Sequence, residues 1–447
     1  MIKGMGILAV LFFCLQGGLA AAPGERPKSR NVLIIGADTL RADHLGLYGY
    51  KLPTSPNLDA LAGRAIVFER AFAQGSYTLP SFTSFFTSRY PEQHGAFYQN
   101  SAIQASEATL AESFQKQGYR TAAFTGGPNV SALYGFGKGF DTYLGGDRAR
   151  NLDAYVPVAL QWIEKDRSRP FFLFLQPQDV HPPFDLLGIP GGERNRFDPD
   201  YDGPADKFLG SWYCFELLNN ALAAGGSGPR LPEDLSRDLA AVRKDPRAWR
   251  HMSAVYDDRV AHIDGTMGGF WKHMQGLGLL DNTIVVFMGD HGTLWGEGGN
   301  FGHGIHASTK DGIFHVPLIL WIPGQSPRRV PEVIELVDVA PTLLELAGFP
   351  VPQRFSGTSL LPLIEGRPGP ERKYAFGTAA IISPGSPHRL FVRDSRWKLV
   401  READSKVSLY ELAADPGEDV DVSAAHPDIV ERLSDALLRH MRDIGKP

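Results

Sequence analysis

Cysteine is nearly absent from this chain: Cys14 and Cys214 are the only two in 447 residues. Cys14 falls in an N-terminal apolar stretch that reads as a leader, so removal of the leader leaves Cys214 alone and excludes an intramolecular disulfide. Stability in an oxidising compartment then has to come from the core. Cys214 lies in Trp212-Tyr213-Cys214-Phe215, a setting that suits a packed apolar residue better than a reactive thiol. Basic runs are missing as well, the longest being Arg328-Arg329, and the formal net charge is −5. That excludes a phosphate-tracking nucleic-acid partner, which needs clustered Lys and Arg. Long apolar runs are also lacking: Ile7 to Leu15 is the longest candidate and is too short to span a bilayer stably. No internal repeat is present.

What is there begins with a signal peptide. Lys3 supplies the positive start, Ile7 to Leu15 the apolar core, and Ala20-Ala21-Ala22 the small residues before Pro23. Residues 1–22 are therefore expected to be a leader and the mature protein to be secreted or periplasmic. Phe13 ahead of Cys14 is a poor match to a lipidation site. With 43% hydrophobic and 21% charged residues, the remainder can bury one large α/β core and a smaller appendage.

Short apolar, β-branched runs at residues 31–37, 121–124, 171–175, 283–288 and 318–322 alternate with helical patterns at 56–63, 109–117, 156–165 and 248–275. Such alternation predicts a large, mostly parallel sheet sandwiched by helices over residues 30–350. Residues 182–247 are rich in Pro, Gly and Asp and read as a loop-rich insertion, a lid or a segment without a role, with a short helix near 208–218. From residue 374 onward, short strands at 391–393, 397–400 and 409–411 precede a helix at 427–444. This predicts a small C-terminal antiparallel sheet packed with a terminal helix.

The chemistry-bearing residues follow the strongest strands. Residues 31–37 run into Asp38-Thr39-Leu40-Arg41, residues 171–175 into Gln178-Asp179-Val180-His181, and residues 283–288 into Gly289-Asp290-His291-Gly292. In open α/β sheets ligands bind beyond the carboxyl ends of the strands. Asp38, Asp290 and His291 together suit a divalent metal, one or two ions of Zn, Mn, Mg or Ca. Taken singly, Asp38 could as well cap a helix and Asp290-His291-Gly292 form a polar turn. Thr78 precedes Pro80, which suits a first helical position, and so would sit just ahead of a helix N-terminus, where exposed N–H groups favour an anion. Beside a metal its hydroxyl could act as a nucleophile; on these residues alone, capping is the simpler role.

These motifs closely resemble the sulfatase family of the alkaline phosphatase superfamily. The resemblance is carried by Asp38-Thr39-Leu40-Arg41-Ala42-Asp43-His44, by Tyr77-Thr78-Leu79-Pro80-Ser81, and by Thr87-Ser88-Arg89-Tyr90-Pro91 with His94-Gly95. It continues through His181-Pro182-Pro183, Gly289-Asp290-His291-Gly292, Phe301-Gly302-His303-Gly304, and Leu409-Tyr410-Glu411-Leu412 with Asp415-Pro416-Gly417-Glu418. It implies an alkaline-phosphatase-like fold, Asp38, Asp290 and His291 as metal ligands, Thr78 at the nucleophile position, and His181 near the leaving group. A substrate contact is implied at His303 or, by spacing from Val316-Pro317, at His306.

Three departures from the family pattern bear on the reaction. Sulfatases mature a Cys or Ser in Cys/Ser-x-Pro-x-Arg to formylglycine; here Thr78 and Phe82 replace that Cys and Arg, and a threonine cannot become formylglycine. Gly126-Gly127-Pro128-Asn129 stands where the family carries Gly-Lys-Trp-His, leaving Asn129 as the substrate-side residue. Thr39 replaces the second Asp of the metal site. The expectation is thus an exported, metal-dependent hydrolase of phosphate or sulfate esters, small or attached to a glycan or lipid. The alternatives are a silent binding protein on the same fold and a true sulfatase with an atypical nucleophile.

Overall fold

The computed structural model describes residues 30–98, 101–146, 150–184, 196–210, 232–304, 308–369, 373–380 and 388–445. The expected leader, Cys14, Cys214 and His306 lie outside them. Eight strands form the main sheet: β1 (Asn31–Ala37), β2 (Ile66–Phe72), β3 (Arg120–Thr125), β4 (Thr142–Gly145), β5 (Phe171–Gln176), β6 (Thr283–Gly289), β9 (His315–Trp321) and β10 (Arg328–Glu335). A short hairpin, β7 (Leu294–Trp295) and β8 (Phe301–Gly302), lies apart from it. The order is β10-β2-β9-β6-β1-β5-β3-β4. β9 runs antiparallel to both its neighbours and every other pairing is parallel. The central strands β1, β5 and β6 are unbroken apolar runs because helices cover both of their faces.

One face packs α2 (Thr78–Thr87), α3 (Leu110–Lys116) and α8 (Val339–Leu346). The other packs α1 (Pro56–Ala62), α4 (Leu152–Lys165), α5 (Glu233–Lys244) and the 31-residue α6 (Pro246–Gly276). All ten residues of α2 are buried although five are Ser or Thr; the hydroxyls of Ser81, Ser84 and Thr87 bond the Asp290 carbonyl, His94 and the Thr83 carbonyl. A second sheet of β11 (Ala375–Ala379), β12 (Arg389–Arg393), β13 (Trp397–Arg401) and β14 (Val407–Glu411) is wholly antiparallel and packs on α9 (Pro427–Asp443). The sandwiched, mostly parallel mixed sheet and the small C-terminal antiparallel sheet with its helix are thus as the sequence predicts.

Two expectations need correction. The segment read as loop-rich contains α5, whose Glu233 and Asp234 at the start and Arg243 and Lys244 at the end complement the helix dipole. The helix after Tyr77 begins at Thr78 itself, not at Pro80. Pro80 is tolerated at the third helical position because the first four N–H groups of a helix have no intrahelical acceptor.

Candidate active site

Sheet register assembles the polar residues. Ala37 of β1 lies opposite Gly289 of β6, so Asp38 and Asp290-His291 leave the sheet side by side. β5 flanks β1 on the other side and delivers Gln176, Gln178 and His181. Thr78 arrives from the end of β2 through residues 73–77, as the first residue of α2.

Asp38, Asp290 and His291 each place one ligand atom within 4.8 Å of the others. His291 Nε2 stands 3.5 Å from Asp38 Oδ1 and 3.4 Å from Asp290 Oδ2. Thr78 Oγ1 lies 3.3 Å from Asp38 Oδ1 and 3.3 Å from His291 Nε2. All four side chains are buried. His291 Nδ1 donates to the Gly292 carbonyl at 2.8 Å, which leaves the Nε2 lone pair facing the carboxylates. Burial pushes this imidazole down to about 4, so it is neutral at neutral pH.

The carboxylates carry the strain of close like charge. Burial, and then Asp38, raises the Asp290 carboxyl well above its ordinary value. Asp290 Oδ1 accepts the N–H groups of Thr39 and His291, whereas Oδ2 is buried with no hydrogen-bond partner. A buried carboxylate oxygen without a donor is costly. A divalent cation between Asp290 Oδ2, Asp38 Oδ1 and His291 Nε2 would partner that oxygen and offset the repulsion. The residues present therefore fit a divalent cation, and oxygen with imidazole ligation suits Mg, Mn, Zn or Ca.

Asp38 Oδ2 accepts from Gln176 Nε2 and Gln178 Nε2, both at 3.0 Å. Sequence reading missed this role for the two glutamines; the available signal was a buried amide closing the apolar run of β5. Thr39 adopts φ 63°. Its Oγ1 donates toward the carbonyls of Asp38 at 2.6 Å and Val180 at 2.9 Å, while its N–H holds Asp290. The residue in place of the second family Asp thus supports the cluster through its backbone.

His181 and His303 complete the convergence. The His303 ring centroid is 5.0 Å from that of His181 and 4.6 Å from that of His291. Burial, with His291 and His181 nearby, lowers the His303 imidazole well below its ordinary value. Asn129 lies on the 3-10 turn Pro128–Val130, which packs against α2, and its Oδ1 is buried without a partner. Phe82 is buried, with ring contacts to Phe174 and an edge set against Gly36. Arg41 is engaged by Asp43, Glu297 and the Thr293 carbonyl.

The model of the sulfatase family matches residues 30–349, which hold every residue of this cluster. The chain belongs to the sulfatase family. A second model, the C-terminal region of N-sulphoglucosamine sulphohydrolase, matches residues 302–443. An arylsulfatase of Clostridium perfringens is 26% identical over 87% of this chain and 89% of its own length. An ulvan-active sulfatase of Formosa agariphila is 25% identical over 88% and 76%. Among solved structures, the phosphonate monoester hydrolase of Agrobacterium radiobacter superposes with a TM-score of 0.72 at 20% identity, covering 93% of this chain and 96% of that one. A protein solved with its substrate D-glucosamine-2-N,6-O-disulfate gives 0.72 at 20% identity over 94% and 98%. These structural likenesses establish the sulfatase-type alkaline-phosphatase-like fold. Membership places the protein among ester hydrolases.

Proposed function

We propose that this sulfatase-family protein is an exported, divalent-cation-dependent hydrolase of phosphate or sulfate esters, with Thr78 as its nucleophile. One observation carries the reading: Thr78 Oγ1 heads a buried helix at 3.3 Å from both Asp38 Oδ1 and His291 Nε2. A bound cation would lower the pKa of a hydroxyl placed there and screen the charge of the incoming anion. Thr78, its hydroxyl proton released to solvent, bonds through Oγ to phosphorus as the bond to the leaving oxygen breaks, and His181 gives that oxygen its proton. His303 or His306, together with Asn129, would contact the remaining oxygens, and the helix N-terminus adds partial positive charge. Water cleaves the threonine ester in a second step, His181 taking the proton back. Because Thr78 cannot form the gem-diol on which sulfatase turnover depends, phosphate esters fit the site better than sulfate esters.

The substrate is taken to be a small or glycan- or lipid-linked ester. Residues 30–350 form the catalytic unit and residues 374–447 the C-terminal one in this reading. Among the described residues no helix is long and apolar enough to cross a membrane.

The test is an assay of purified protein on aryl phosphate, phosphodiester, phosphonate and sulfate monoesters with Mg, Mn, Zn or Ca added. Thr78→Ala must abolish turnover of the best substrate; full retained activity removes Thr78 from the mechanism. A silent binding role is favoured by one feature, the apolar Phe82 at the arginine position. Single-turnover labelling separates the two, since a binder forms no ester on Thr78.

A further inference from the structure

The turn that carries His181 is held on both sides. Its inner side is stitched to β1: Asp38 N donates to the Pro177 carbonyl at 3.1 Å, Gln178 Nε2 to Asp38 Oδ2 at 3.0 Å, and Thr39 Oγ1 to the Val180 carbonyl at 2.9 Å. Asp179, in the middle of the same turn, is fully buried and bonds elsewhere. Its Oδ2 accepts Leu152 N at 2.8 Å, at the start of α4, and its Oδ1 lies 3.2 Å from His262 Nδ1 on α6. The other nitrogen of that ring, His262 Nε2, lies 3.1 Å from Asp153 Oδ2. Both ring nitrogens therefore face carboxylates, and an imidazole can donate to both only as the imidazolium. The environment agrees, because hydrogen bonds to Asp153 and Asp179 push His262 up to about 10.

We infer that His262 is a positioning residue: bridging Asp153 and Asp179, it clamps residues 177–181 so that Gln178 stays on Asp38 and His181 stays against His303. The reasoning is one of strain transfer. Removal of the imidazolium leaves a fully buried carboxyl facing an apolar group, which either takes up a proton or draws Asp179 and its turn toward water; in both cases the bond that held the turn to α6 is lost. Each of the three stitches to Asp38 and Thr39 lies within two residues of Asp179, so that movement disturbs the ligand carboxylate and His181 together. The inference rests on the proposed function for its effect on turnover, and on geometry alone for the clamp.

The experiment compares the full-length wild type with His262→Leu and Asp153→Asn by amide hydrogen exchange, Mn2+ titration and steady-state kinetics on the best ester. In His262→Leu, exchange of peptides covering residues 177–184 is expected to accelerate while β6 is unchanged. Mn2+ affinity is expected to fall about tenfold, the scale seen when support for a metal ligand is lost, and kcat to fall with KM nearly constant. Asp153→Asn keeps the inner contact, at a carboxylate 47% exposed, and must shift the same three readouts in the same direction by less. It also keeps the test decisive if His262→Leu does not fold. Unchanged exchange at residues 177–184 overturns the clamp. Faster exchange with unchanged Mn2+ affinity and kcat overturns the positioning role and leaves a merely structural ion pair. If the wild type hydrolyses no ester, the function proposal fails, while exchange and Mn2+ titration still decide the clamp.

Discussion

Thr39 is the residue whose local energetics speak most directly to the site. At φ 63° a β-branched side chain is strained by about 1–2 kcal/mol. The single Oγ1 proton, shared between the Asp38 and Val180 carbonyls, holds it there with a hydrogen bond worth about 1 kcal/mol net. Thr39→Gly relieves the strain as it loses the bond, so urea denaturation should move by less than about 1 kcal/mol. Thr39→Val keeps the strain and loses the bond, and should cost about 1 kcal/mol. Equal losses in the two variants would show that φ 63° carries no strain. Both variants keep the Thr39 N–H on Asp290. Asp38, Asp290, His291, Thr78 and His181 stand out as candidates in the sequence because each follows a strand or heads a helix, whereas His303 stands out only through the family resemblance. Gln176 and Gln178 escaped because an amide has no charge to announce it and their partner, Asp38, is 138 and 140 residues away.

At the scale of elements, α2 shows why the departure from the family pattern is not a gap waiting to be filled. Phe82, Phe85 and Phe86 interlock with Phe174 in edge-on contacts, and a Cβ on Gly36 would meet the Phe82 ring at 2.7 Å. Phe82→Arg should therefore destabilise by roughly 4 kcal/mol or more, through a buried charge without a partner plus lost packing. Circular-dichroism melts should show it. A stable Thr78→Cys/Phe82→Arg protein would mean that this face of the sheet can reopen toward solvent. β1 reads correctly to the residue, and β5 and β6 to within one, because burial on both faces writes an unbroken apolar run. β10 carries Arg328, Arg329, Pro331 and Glu332 on an edge with an exposed first half, and β2 is interrupted by Glu69-Arg70 at a register shift. Neither strand has the period that sequence reading looks for. The α4–α6 clamp makes a pH prediction of its own. His262 is raised from 6.5 to about 10 by Asp153 and Asp179, so its stabilising effect is complete below about pH 6.5 and is lost as pH rises through about 10. The difference in melting temperature between wild type and His262→Leu should shrink across that window and be nearly gone above it.

For the whole molecule, the central question is how the C-terminal sheet bears on a site built by the large one. Its β11 reaches the loop ahead of Thr78: Thr378 N donates to the Gln74 carbonyl at 2.9 Å, and Ser76 Oγ bonds both the N–H and the carbonyl of Ala380. Its β12 and β13 grip α7 (Asp311–Phe314), which lies directly behind the His291 turn through Gly292 N on the Ile313 carbonyl. The grip centres on Lys398, fully buried, with Nζ 2.9 Å from Asp311 Oδ1, 2.9 Å from Glu418 Oε2 and bonded to the Thr309 carbonyl. Arg393 adds a 2.6 Å pair to Asp311. Burial raises the Glu418 carboxyl, with Lys398 opposing it, while Arg393 and Lys398 hold Asp311 below its ordinary range despite burial. Lys398→Met strands Glu418 and should cost roughly 3–5 kcal/mol in urea denaturation, as breaking a buried pair on one side does. Adding Glu418→Leu removes the stranded charge and should recover part of that loss, since Asp311 keeps Arg393. Recovery is what an ionic grip requires; a double variant as unstable as the sum of the two single ones would mean that packing around the Lys398 stem, not its charge, joins the two sheets.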